Sequence, residues 1–127
     1  MDKDVKYWYD LSVYDKGSAE AMYKAGRYLY VLFMCQQVVE KMLKGILVNN
    51  TGKFPPRIHD LIKLADIAKI DFDPDRLEFM RELTLYYIET RYPSDIENIG
   101  SSVDKKLANL YLTKTKEFLK WLKAEIK

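Results

Sequence analysis

The sequence holds a single cysteine, Cys35, and a single histidine, His59. No intramolecular disulfide is therefore available, and no zinc-ligand spacing exists, so a metal site would have to be built from carboxylates alone. The ExxH pair of di-iron bundles is missing. Neither GxxxxGK-S/T nor GxGxxG occurs, which removes the P-loop and dinucleotide-binding folds. No nucleophile elbow accompanies His59 to support a Ser-His-Asp triad. No metal and no cofactor are expected. No apolar run reaches about 18 residues, and no charged N-terminal segment leads into an apolar core. These absences describe a soluble cytoplasmic protein with no membrane span, and Cys35 is expected as a buried structural thiol in a reducing compartment. An excess of one charge is lacking too: 21 basic and 19 acidic residues give a formal +2. That excludes a broad cationic coat for non-specific nucleic-acid binding and leaves only a local basic cleft.

What is present is helical pattern. Clean period-two stretches bounded by turn residues are missing, whereas 3.6-residue stripes recur. At 127 residues and 48% hydrophobic, the chain is expected to form one domain over residues 1–127 with a core of its own. A first helix is predicted from about Lys3 to Lys24, with Val5, Trp8, Ser12, Ala19 and Tyr23 near one stripe and Gly26 as its stop. A second runs from about Arg27 to Val48, followed by a loop at Asn49-Asn50-Thr51-Gly52. A short third covers Leu61 to Ala68, with His59 or Asp60 at its N-cap. Asp73-Pro74-Asp75 opens a fourth, which carries Leu77, Met80, Thr84, Tyr87 and Ile88 on a stripe that reaches Arg91 before Pro93 ends it. Ser101 caps a last helix to about Ile126, with Val103, Leu107, Leu110, Phe118 and Trp121 inward. The fold class is all-α, an up-and-down bundle of four to five helices.

The second helix is apolar around most of its circumference. Tyr28, Leu32, Cys35, Val39, Leu43 and Ile46 line one face, and a narrow stripe of Phe33, Gln37, Glu40 and Lys44 remains, with Lys41 beside it. Polar groups on such a helix need partners. The stripe is a seam between subunits or the wall of a site. Lys44 and Lys41 suit phosphate contacts, or ordinary i, i+4 pairing of Glu40 with Lys44 and Gln37 with Lys41. Arg91 breaks the binary pattern of its helix, as functional positions do, and its planar fork suits a phosphate. It equally suits a cation at a helix C-terminus, or a partner for an acid such as Glu40. His59 is a general acid–base candidate and also a capping or packing residue. Tyr86, Tyr87 and Tyr92 could stack on bases or fill the core. The lysine-rich run from Lys114 to Lys127 is read as the solvated face of a packed helix.

Three separated segments resemble one family. Gln36-Gln37-Val38-Val39-Glu40-Lys41-Met42-Leu43-Lys44 is similar to the QQxxEKxxK segment of HEPN domains, named for higher eukaryotes and prokaryotes nucleotide-binding. Ile58-His59-Asp60-Leu61 resembles that family's HDL segment, and Arg91-Tyr92-Pro93 its RYP segment. Trp8 to Asp15 matches the WxxxAxxD opening with Ser12 in place of Ala. The resemblance, to the small prokaryotic RYP-type members, covers about residues 5 to 125. It implies a HEPN-like bundle that forms a homodimer and is associated with a minimal nucleotidyltransferase in a toxin–antitoxin-type pair. It also implies a site for nucleotide or RNA at Gln37, Glu40, Lys44, His59, Arg91 and Tyr92.

Many members of that family are metal-independent ribonucleases in which Arg is followed after four to six residues by His. Here no histidine follows Arg91, and Ser94 stands where Asp is common. Three functions follow from these residues. The first is a dimeric nucleotide- or RNA-binding module working with a nucleotidyltransferase. The second is a ribonuclease toxin with Arg91 and His59 as its catalytic pair, which needs folding or dimerisation to bring them together. The third is a structural adaptor whose polar stripe is an interface.

Overall fold

The structure, a computed structural model, describes residues 1–89 and 102–126. Among these residues it is all-α, with no strand: α1 (Lys3–Lys24), α2 (Tyr28–Thr51), α3 (Leu61–Ala68), α4 (Pro74–Glu89) and α5 (Lys105–Lys123). Each boundary has a local cause. The Asp2 carboxylate accepts from the Asp4 N–H at the start of α1. Gly26, at φ +74°, makes the left-handed turn into α2, and Gly52, at φ +68°, ends α2 with its N–H on the Val48 carbonyl. Asp60, not His59, caps α3, accepting from the Ile62 and Lys63 N–H groups. At α4, Asp73 accepts from the Arg76 N–H at 2.8 Å, and Pro74 occupies the first helical position.

Three predicted boundaries move. The α2 helix extends through Thr51 rather than stopping at Val48, because the would-be loop residues find helical partners. Thr51 Oγ1 donates to the Leu47 carbonyl, and Asn50 Nδ2 donates to the Ala68 carbonyl of α3 at 2.8 Å. The last helix is capped by Asp104, which accepts from the Leu107 N–H, and ends at Lys123 rather than near Ile126. The expected cap Ser101 lies outside the described residues. Two stripe positions also differ. Leu110 and Ile88 are half-exposed, because α5 turns Ala108, Tyr111, Leu112 and Thr115 inward, and α4 buries Met80, Leu83, Thr84 and Tyr87 instead.

The α2 helix is the axis of the bundle. Val31, Leu32, Cys35, Val38, Val39, Met42, Leu43, Ile46 and Leu47 are all buried on it. Each fully buried aliphatic side chain of this size contributes about 1.5–3 kcal/mol relative to an exposed one, so this one helix carries much of the driving force. The α1 helix runs antiparallel to it: Asp15 meets Lys41, Ser12 meets Met42, and Val5 and Trp8 meet Gly45. At Gly45 an added Cβ would lie 3.2 Å from the Trp8 Cβ, so the absent side chain is what lets the two helices touch. The α5 helix runs antiparallel to α1, with Lys116 near Glu20 and Lys123 over Tyr9, and antiparallel to α4, with Phe118 on Phe79 and Tyr111 on Tyr86. The up-and-down order follows, with α3 packed across α2 and α4. Burial of Cys35 in this core pushes its thiol pKa up to about 11, against smaller opposing effects of Thr115 and Lys116, so it behaves as a packing residue. No helix among the described residues is long and apolar enough to cross a membrane.

Candidate functional site

Three polar side chains sit inside the apolar environment of α2 at i, i+4 and i+8. Gln36 is 0% exposed, Glu40 2% and Lys44 7%. Buried charge without partners is costly, so their partners define what they do. The Glu40 carboxylate accepts from three donors: Gln36 Nε2 at 3.1 Å, Lys44 Nζ at 3.1 Å and His59 Nδ1 at 2.8 Å. Burial alone would raise the Glu40 pKa. The bonds from His59 and Gln36 and the nearby Lys44 ammonium outweigh that and hold the carboxyl below its ordinary value of 4.5. Glu40 is therefore an anion at neutral pH despite its burial.

The network continues in both directions. Gln36 Nε2 also donates to the His59 carbonyl at 2.9 Å, which pins the backbone just before α3. Gln37 Nε2 donates to Gln36 Oε1 at 2.7 Å, and Lys41 Nζ donates to Gln37 Oε1 at 3.1 Å. Lys41 Nζ reaches Asp15 of α1 at 3.1 Å. On the other side, Lys44 Nζ lies 5.6 Å from the centre of the Trp8 ring. Both i, i+4 pairs suggested by the stripe thus form, Glu40 with Lys44 and Gln37 with Lys41. Lys44 is enclosed between Glu40 and Trp8, so its charge is spent within the protein.

His59 stands at the outlet of this network. Its side chain is 45% exposed, while its Glu40 partner is 3% exposed. An ionised carboxylate offers only acceptors, so Nδ1 carries the hydrogen of this bond, and in the neutral ring Nε2 is left as the acceptor. The imidazole is further held by Tyr87 of α4, with ring centres 4.9 Å apart, and Tyr87 stacks on Phe33 of α2 at 5.2 Å. An oriented imidazole with one nitrogen committed to a buried carboxylate can take or give a proton at the other. The site has no metal cluster to supplement it: among the described residues, no three His, Cys, Asp or Glu side chains group to hold an ion.

Four of the six predicted residues therefore meet around Glu40: Gln37, Glu40, Lys44 and His59. Arg91 and Tyr92 lie outside the described residues. The sequence reading missed the central place of Gln36, which bonds to Gln37, Glu40 and the His59 backbone at once. Its signal was present in the i, i+4, i+8 run with Glu40 and Lys44. Tyr87, assigned only to a stripe or a stacking cluster, is the second wall of the imidazole. A hollow of about 490 Å³ opens between α4 and α5, but Asp73, Asp75, Glu78, Glu82 and Glu117 outnumber Arg76 and Lys114 in its lining, the wrong sign for a phosphate.

The HEPN domain profile matches residues 5–126. The fold superposes with a TM-score of 0.77 on the crystal structure of TT1696 from Thermus thermophilus, at 21% identity, covering 95% of this chain and 97% of that one. It superposes with a TM-score of 0.74 on ST0689, described as an archaeal HEPN homologue, at 26% identity, covering 98% of this chain and 99% of that one. No curated protein matches the chain.

Proposed function

This chain belongs to the HEPN family, and from that membership we propose that it is a homodimeric nucleotide- or RNA-binding module that works beside a minimal nucleotidyltransferase in a toxin–antitoxin-type pair. The observation that carries the proposal is the half-exposed His59 ring, locked by the buried Glu40 carboxylate at 2.8 Å. A binding site benefits from such preorganisation, because the ligand does not have to order the side chain. Gln36 and Lys44 hold Glu40, Gln36 also holds the loop and is itself held by Gln37, and His59 is the group that meets the ligand. The RYP segment Arg91-Tyr92-Pro93 follows soon after α4, and α4 already brings Tyr87 against the His59 ring. Arg91 then supplies the phosphate fork and Tyr92 a stacking surface.

The test is binding of AMP and of a fluorescein-labelled ten-nucleotide oligoadenylate in EDTA, with oligomeric state measured in parallel. Arg91→Ala and His59→Ala are each expected to weaken binding, and the wild type is expected to sediment as a dimer. A monomer that binds neither probe would sink the proposal. Co-purification with a nucleotidyltransferase encoded beside it tests the pairing.

A ribonuclease is favoured by one specific observation, a half-exposed imidazole whose Nδ1 is committed to the buried Glu40 carboxylate. It predicts metal-independent cleavage of the same oligonucleotide, lost in both Arg91→Ala and His59→Ala. Binding without cleavage assigns the protein to the module.

A further inference from the structure

A second cluster lies where the N-terminal half of α1 passes the end of α2. Tyr7 and Trp8 of α1 meet edge to face with ring centres 5.5 Å apart, and Trp8 meets Phe54 at 6.4 Å with the planes inclined by 66°. Phe54 is 82% exposed and Tyr7 59%. Exposed phenylalanine rings are costly in water, and three aromatic rings in one exposed corner need a use. They line a cleft of about 590 Å³, whose rim adds Asp4, Lys53 and the backbone at Gly52. That volume is in the range of small-ligand sites, which run from roughly 300 to 1,000 Å³.

The chemistry of the cleft is that of a base and its phosphate. Inclined aromatic faces accept a planar heterocycle, and stacking needs no particular base. Among the described residues Lys53 makes no ion pair, and it stands beside Phe54, in position for a phosphate. Asp4 offers an acceptor to an exocyclic amine. The left-handed Gly52 turns the chain so that Lys53 and Phe54 face α1. The Lys44 ammonium sits over Trp8, so the ring that lines the cleft is braced by the same residue that bonds Glu40. One lysine therefore joins the cleft to the His59 corner.

We infer that the Tyr7–Trp8–Phe54 cleft is a stacking subsite for a nucleobase, with Lys53 on the adjoining phosphate. The inference rests on the nucleotide- or RNA-binding function proposed above and adds a place for a base away from His59. A free nucleotide and one residue of single-stranded RNA share this chemistry.

The experiment follows emission of Trp8 in the Trp121→Phe protein, titrated with AMP and with unlabelled ten-nucleotide oligoadenylate, while anisotropy of the labelled oligonucleotide reports total binding. Saturable quenching is expected with at least one probe. Quenching by AMP identifies a free-nucleotide site, and quenching by the oligonucleotide alone identifies an RNA subsite. Phe54→Ala is expected to weaken that probe about tenfold, within the range of lost base stacking. Lys53→Ala is expected to lower the slope of log affinity against log salt by about one. Because both residues are on the surface, folding is not at stake. Oligonucleotide binding that needs Arg91 and His59, ignores Phe54→Ala and leaves Trp8 emission unchanged would overturn the subsite and leave the proposed function standing. No binding of either probe would overturn both. Impaired self-association of Phe54→Ala with unchanged binding would overturn the subsite in favour of a subunit contact.

Discussion

Glu40 on α2 and Glu78 on α4 are both carboxylates with a basic neighbour one helical turn away, yet they live in different worlds. Glu40 is 3% exposed at its side chain and shares its charge among Lys44, Gln36 and His59. Glu78 and its partner Arg81 are each 57% exposed. The first pair has been removed from water and holds together only as a complete set. The second exchanges freely with solvent and with salt. A carboxylate with a cation one turn on thus yields a structural commitment at one place and a decoration at the other, and burial with its added partners makes the difference.

The largest effect should come from removing the buried anion. Glu40→Ala leaves the Lys44 ammonium enclosed without a counter-charge, and a loss of about 3–5 kcal/mol in urea denaturation is expected. Adding Lys44→Met to that variant should restore a substantial part of the loss. Strict additivity of the two changes would contradict the coupling. The next effect is on pH. Because the folded pKa of Glu40 lies below its ordinary 4.5, the unfolded chain takes up the proton first as the medium is acidified. The stabilisation is present above that value and is lost as pH falls through the lower folded one. Glu40→Gln should flatten this acid limb of a stability-versus-pH curve, and an unchanged limb would show that other carboxylates govern it.

A smaller stability effect is expected from His59→Ala, within about 1 kcal/mol, since the ring is half in solvent. Its effect on nucleotide or RNA binding should be far larger than on melting. Equal losses in both would make His59 a packing residue. Smallest of all, Arg81→Ala should move stability by no more than about 0.5 kcal/mol. A large change there would erase the contrast with Glu40.

Much of the fold was legible because its punctuation is chemical and local. Gly26, Asp60 and Asp73-Pro74 act within one turn of where they stand, and the structure uses each as expected. The start of α5 was not legible in the same way, because Ser101 and Asp104 are both competent caps, and only packing decides where the inward face begins. Leu110 and Ile88 show the same limit: periodicity marks a stripe but not the rotation of the helix against its neighbours. In the site, the pairs within α2 could be read from i, i+4 spacing. The bond from Glu40 to His59 spans nineteen positions and depends on where α3 docks, which no local pattern encodes. The burial of Lys44 was hidden for a related reason, since it needs Trp8 from another helix as its cover.

The side-chain amides of Gln36 and Gln37 have a further consequence. Hydrogen passes in one sense only along this row: Lys41 donates to Gln37, Gln37 to Gln36, and Gln36 to Glu40. A cation heads the row and an anion closes it, so neither amide can rotate end for end without setting donor against donor or acceptor against acceptor. The row has a grammar as well as a composition. Replacing the Gln36 nitrogen by oxygen, as in Gln36→Glu, keeps size and shape but removes the donor of the bond to Glu40 and sets one carboxylate against another. The least visible substitution available at this site is thereby among the least tolerable.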